Sequence, residues 1–235
     1  MILGISVAMP DELSMLTRER LAVGVCRELH PDVLVMLAGI GAQRARQAGM
    51  ELIDRGATAL LSWGAAAALA PALTPGSLML PHCIIGADQA VYPASSDWHE
   101  RLRRSLAPHF EIHTAPLAES LDVVSTPAEK QQLRLKTEAD ATDMESGALA
   151  QLAREREVPF CAVRAIVDPA NMGLPQSIMQ AVDPDGQMRT FKFMMQALAH
   201  PGDWKKLMQL SRNYKSALRT LARVIELTGP QVLAF

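Results

Sequence analysis

Short apolar runs alternate with segments of helical spacing along the whole chain. Residues 1–9, 33–37, 58–62, 77–81 and 159–167 are largely continuous apolar stretches of strand length. Runs of this kind mark strands covered on both faces. Two shorter strands are predicted over 110–114 and 122–125. Helical spacing predicts helices over 11–29 (Leu13, Leu16, Leu21, Val25), 42–55, 98–106, 127–137 and 144–156. Two more helices, 182–199 and 203–227, close the chain. Pro201-Gly202-Asp203 supplies a break and an N-cap for the last one, and Gly229-Pro230 its stop. Strands alternating with helices predict an α/β fold in three layers. No repeat, low-complexity tract or linker interrupts the pattern, so residues 1–235 are expected to form one domain.

Composition narrows the classes. The chain has 235 residues and is 49% hydrophobic, enough for a large core. With 23 basic against 25 acidic residues, bulk charge gives no case for nucleic-acid binding. Cys26, Cys83 and Cys161 are far apart and odd in number, which suits a reduced, cytoplasmic setting. The six histidines are scattered without ligand spacing, so no metal is expected. The longest apolar stretch, 57–73, is interrupted by Thr58, Ser62, Trp63, Gly64 and Pro71 and is too short and mixed to span a bilayer. The N-terminus lacks the basic region of a signal peptide. The last helix carries an apolar stripe (Trp204, Leu207, Tyr214, Leu218, Leu221, Ile225) opposite a basic face. Packing on the sheet explains that pattern; transient contact with an anionic membrane surface is the alternative.

Two acids carry the candidate chemistry. Glu145 lies in Thr142-Asp143-Met144-Glu145-Ser146-Gly147, a loop opening a helix. Asp168 ends the apolar run that begins at Phe160. Ligands of open α/β sheets bind at the carboxyl ends of strands, so both carboxylates are expected to face one crevice. One acid can then hold a sugar while the other protonates a leaving base. A dinucleotide site fits poorly: Gly39-Ile40-Gly41 is followed by Arg44 where the fingerprint needs a third Gly or Ala.

Five segments in order resemble the purine and uridine phosphorylase superfamily, which includes the adenosine-type nucleosidases. They are Leu3-Gly4-Ile5-Ser6-Val7-Ala8-Met9-Pro10-Asp11-Glu12, Gly39-Ile40-Gly41, the small-residue strand end from Ser62 to Pro71 with Pro75-Gly76, Asp143-Met144-Glu145-Ser146, and Arg164-Ala165-Ile166-Val167-Asp168. The length and helix-rich tail look closest to the hopanoid-associated phosphorylases, whose implied substrate is adenosylhopane. The resemblance implies a three-layer α/β sandwich with a mixed central sheet, a homodimer, no cofactor, and cleavage of a purine ribonucleoside bearing a 5′ substituent, with a lipid-linked substituent as one form. It makes Asp168 the acid that protonates the base and Glu12 the activator of water. Glu145 would grip the ribose hydroxyls, with Met144 on the sugar face and Asp143, Gly64 and Ala65 also at the substrate.

Three positions depart from the nucleosidase pattern. Val167 stands where a Ser usually precedes the acid, Asn171 replaces an Asp, and Ala66-Ala67 replaces a Gly pair. These departures sustain a rival reading, a nucleoside-binding homologue without catalysis. The acceptor is open at this level. Glu12 favours water; Arg44, Arg46 and Arg164 are candidate ligands for phosphate as a co-substrate. Trp63 is expected in the core, with the base pocket as its alternative.

Overall fold

The computed structural model describes residues 2–174 and 204–232. The helix expected over 182–199 and the cap at 201–203 lie outside these residues. Eleven strands and six helices are seen among those described. They run β1 (Leu3–Val7), α1 (Pro10–Leu13), β2 (Cys26–His30), β3 (Val33–Leu37), α2 (Ala42–Asp54), β4 (Ala59–Ala68), β5 (Leu78–Met79), β6 (Cys83–Ile85) and β7 (Val91–Pro93). There follow α3 (Ser96–Leu106), β8 (Ile112–His113), β9 (Leu117–Glu119), α4 (Pro127–Thr137), β10 (Ala141–Asp143), α5 (Ser146–Glu155), β11 (Phe160–Asp168) and α6 (Trp204–Val232).

The expected α/β architecture with a mixed central sheet is observed. β1 pairs in parallel with β3 and β4, β11 runs parallel to β4, and β10 runs antiparallel to it. The two sheet faces bury separate clusters, as strand alternation requires. Leu61, Trp63 and Val163 face Trp98 and Leu102 of α3 and Ala217 and Leu221 of α6. Leu60, Ala162 and Ile166 face Leu52 of α2 and Leu149 and Leu152 of α5. The sheet is therefore the middle of three layers.

β4 is the strand that positions the site. It extends six residues beyond the expected end at Ser62, because Gly64 through Ala68 are small enough to continue between neighbours. β1 stops at Val7, opposite Trp63. β10, running the other way, pairs only with Ala68 and Ala67 before it ends at Asp143. Two strand ends thus meet along one edge of β4, and residues 64–66 have no strand partner there. Such a break in connectivity is where α/β folds place their ligands.

Two expected elements differ from those observed. The helix expected over 11–29 is a four-residue helix followed by irregular chain and the edge strand β2. Gly24 adopts a φ of +84°, and Pro31 disfavours helical geometry at the residue before it. The segment instead supplies a ladder for the edge of β3. The strand expected over 122–125 is a loop. The Ser120 hydroxyl donates to the carbonyl of Asp122 at 2.6 Å, forming a local turn, and Thr126 with Glu129 forms a capping box that starts α4 at once. The paired strand lies just before, at β9. The last helix is observed, and Gly229 breaks its geometry with a φ of +65°. Of the expected stripe, Leu221 is buried beside Ala217 and Val224, and Leu218 and Ile225 pack partly buried on the same cluster, whereas Trp204 is 52% exposed.

Trp63 is completely buried in the cluster beneath α3 and α6, not in the pocket described below. Trp63→Ala should cost about 3–5 kcal/mol of unfolding free energy, through lost burial and a cavity. Urea denaturation monitored by circular dichroism would measure it.

Candidate active site

A pocket of about 680 Å³ opens at the break beside β4. This lies within the range of about 300–1,000 Å³ common for small-molecule sites. Glu12, Glu145 and Asp168 all line it, with Ala65, Met144 and Asp143. The structure therefore brings together the three acids picked out in the sequence.

Glu12 enters from α1, just after β1, and is almost fully buried. Its Oε1 accepts from the Ala65 N–H at 2.9 Å, and Oε2 accepts from the Met9 N–H at 3.2 Å. The Ala65 donor is one of the backbone groups that the gap in β4 leaves without a strand partner. Gly64, at φ +154°, is required here: a Cβ at that position would lie 2.7 Å from Oε2 of Glu12. Gly64 thus serves the carboxylate by leaving it room. Burial pushes the Glu12 carboxyl up to about 7, against the Ala65 hydrogen bond and the positive charge of Arg164. A carboxyl poised near neutrality suits a general base.

Glu145 sits at the N-cap position of α5, half-buried. Its Oε1 accepts from the Gly41 N–H at 2.9 Å, so the turn after β3 anchors it. Gly41 takes φ +104°, a conformation that favours glycine. Burial, and next the charge of Asp143, push the Glu145 carboxyl above its ordinary value. Met144 lies beside it in the pocket wall, half-buried.

Asp143 backs the pocket, but its oxygens are held by protein. Oδ2 accepts from Nε of Arg164 at 2.8 Å and from the Ser146 hydroxyl; Oδ1 accepts from the Ser146 N–H at 3.1 Å. Arg164 also donates to the Ser62 hydroxyl at 2.6 Å and the Ser146 hydroxyl at 3.0 Å. Asp143 is thus placed as a structural partner of Arg164. The same network occupies Arg164, and Arg46 pairs with Glu155 on the surface. None of Arg44, Arg46 and Arg164 lines the pocket, and its described lining contains no Lys or Arg.

Asp168 closes β11 behind a bulge. Ile166 pairs with Ala66 and Asp168 with Ala67, so Val167 is an extra residue. Bulges bend a strand and re-aim the side chains at its end. Oδ2 of Asp168 lies 2.6 Å from Nζ of Lys130, a wholly buried residue of α4. Oδ1 is buried without a hydrogen-bond partner among the described residues. Burial raises the Asp168 carboxyl, and the Lys130 contact opposes that.

Two residues escaped the sequence reading. Lys130 shares the inward face of α4 with Leu133 and Thr137, at spacings of three and four, so helical periodicity could have revealed it. Tyr214 belongs to the stripe of α6 but lines the pocket. Its hydroxyl is buried without a partner among the described residues, and burial pushes the phenol well above its ordinary range.

Two outcomes follow for Glu12. Its carboxyl takes up a proton on folding, so its contribution to stability is lost as pH rises from 4.5 to about 7. That loss amounts to roughly 3 kcal/mol. Glu12→Gln should therefore be less destabilised than the parent between about pH 5 and about pH 8, in urea titrations at both. Gly64→Ala should lower stability through its φ of +154° and lower turnover by about tenfold or more by displacing the carboxylate, in urea titrations and a steady-state assay.

Comparisons with known proteins identify the fold and the family. A search of curated proteins finds no match. Among solved structures, futalosine hydrolase of Helicobacter pylori strain 26695 aligns with TM-score 0.72 at 16% identity, covering 95% of each chain. The 5′-methylthioadenosine/S-adenosylhomocysteine nucleosidase of Neisseria meningitidis, in complex with methylthio-immucillin-A, aligns at 0.73 and 17%, covering 100% of this chain and 99% of that one. The corresponding nucleosidase of S. pneumoniae gives 0.73 and 19% with the same coverage. These likenesses establish a common fold. A profile of the phosphorylase superfamily matches residues 3–199. With that match spanning most of the chain, the protein belongs to the phosphorylase superfamily and is an enzyme of glycosidic-bond cleavage.

Proposed function

We propose that the enzyme hydrolyses the N-glycosidic bond of an adenine ribonucleoside with an apolar 5′ substituent. The observation that carries this reading is Glu12, a buried carboxyl poised near 7 in a pocket whose described lining has no Lys or Arg. A base in a pocket whose described lining offers no cation to an anion favours water over phosphate as acceptor. The similarity in fold to nucleosidases and a hydrolase supports the same choice.

The steps then assign themselves by chemistry. Glu145 accepts hydrogen bonds from the ribose hydroxyls, and Met144 packs against the sugar. Asp168 gives a proton to purine N7 as the C1′–N9 bond lengthens toward an oxocarbenium-like state. Glu12 takes a proton from the water that attacks C1′. An added proton on the base and a removed proton on the water balance the reaction, with free purine and the ribose still bearing its 5′ substituent as products. The apolar wall formed by Val123, Val124, Leu174, Leu207 and Leu210 supports an apolar substituent at the 5′ position. Adenosylhopane, the substrate implied by the sequence resemblance, is the lipid-linked member of that class. The half-exposed Met208 and Trp204 on α6 support access from a lipid surface. A homodimer is the proposed assembly, and no helix among the described residues is long and apolar enough to cross a membrane.

Adenine release from 5′-alkylthio and hopane-linked adenosines, with and without phosphate, tests the reading. Phosphate-independent release giving the 5-substituted ribose is expected. Strict dependence on phosphate with a 5-substituted ribose 1-phosphate product would overturn the choice of water. Asp168→Asn should lower turnover by about 10²–10⁴-fold, and an unchanged rate would remove Asp168 from the mechanism.

A further inference from the structure

We infer that Lys130 is a positioning residue that sets both the aim and the acidity of Asp168. The inference rests on the reading of Asp168 as the acid.

The geometry is specific. Lys130 is 0% exposed, an unusual state for a lysine. Its Nζ donates to Asp168 Oδ2 at 2.6 Å, to the Pro169 carbonyl at 2.8 Å and to the Met172 carbonyl at 2.9 Å. An ammonium has three protons, and all three have partners. Each acceptor lies in or just after the end of β11, so one buried cation fixes both the carboxylate and the loop that follows it. With Oδ2 held by Lys130, Oδ1 is left buried without a partner among the described residues, in a side chain that lines the pocket. Val167, the residue before the acid, is apolar and bulged out of register, so its side chain offers Asp168 no hydrogen bond. The orienting hydrogen bond therefore comes from α4.

Acidity follows from the same contact. When Oδ1 gives its proton to purine N7, Asp168 becomes an anion in a water-poor site. Burial alone opposes that ionisation. The adjacent ammonium stabilises the anion, so the O–H bond breaks more readily while Lys130 keeps its own three protons. Other titratable groups face the pocket: Asp11 and Glu12 from α1 and its N-terminal side, Asp122 from the loop after β9, Asp143 and Glu145 at the start of α5, and Tyr214 from α6. Arg164 lies behind, bound to Asp143. Among the described residues, the ion-pair partner of Asp168 is Lys130.

The test compares Lys130→Met and Lys130→Gln with the parent and with Asp168→Asn, measuring kcat and KM for adenine release across pH. Activity needs protonated Asp168 and falls as pH rises through its pKa. Without the cation that pKa rises, so the alkaline limb of kcat should move up by about one to three pH units. The plateau kcat should fall about tenfold or more because the acid is weaker, with KM little changed. A residue that merely supports the fold would lower the yield of active protein and leave the limb in place; that result would overturn the inference. If neither variant folds, infrared difference spectra of the parent against Asp168→Asn serve instead. A carboxyl that ionises in the pH range where kcat falls supports the inference, and one that stays protonated above that range overturns it. If Asp168→Asn retains full activity, the underlying assignment of the acid fails, which is distinguishable from failure of the Lys130 role.

Discussion

Arg164 is an ionised side chain with almost no contact with water, and that state constrains four elements at once. A buried guanidinium is tolerated only when counter-charge and acceptors surround it. Here the counter-charge is Asp143 at the end of β10, and the acceptors are Ser62 in β4 and Ser146 at the start of α5. Meeting those demands pins the end of β10 against the middle of β4 and sets where α5 begins. Removing one member would leave a buried charge uncompensated, which costs about 3–5 kcal/mol in comparable pairs. Glu145 is the residue next to this anchor on the chain, so its position is inherited from a structural ion pair.

The reactive groups have a different physical basis. Glu12, Glu145 and Asp168 are each held by few bonds in a poorly solvated pocket, and burial raises each carboxyl. The fold separates two uses of charge. Arg164 and Asp143 are saturated and fixed, whereas Glu12 and Asp168 remain able to gain or lose a proton. Asp143, read from sequence as part of the substrate site, belongs to the first group because its neighbours leave it no free oxygen.

Much of this was legible in the sequence where local pattern and tertiary demand coincide. The apolar runs at β1, β3 and β11 and the helical spacing at α2, α3 and α4 predicted those elements within a few residues. The acids stood out because each ends or opens such an element. The region after Glu12 was misread because Leu13, Leu16, Leu21 and Val25 have helical spacing, while Gly24, Pro31 and the open edge of β3 favour a strand. β6, β7, β9 and β10 are three-residue strands that stand in no apolar run marked off by its neighbours, so no pattern announces them. Lys130 was missed because a lysine on a helix is ordinarily solvated, and its partner lies 38 residues away.

The gap in β4 bears on how the site tolerates change. Glu12 is oriented by the amide of residue 65, and every amino acid except proline supplies that amide. Position 65 can therefore exchange side chains without losing the donor. Position 64 has no such freedom, since any added carbon would occupy the space of the carboxylate. Two adjacent residues serve one acid, one through an atom the genetic code can scarcely alter and the other through an atom it must not add.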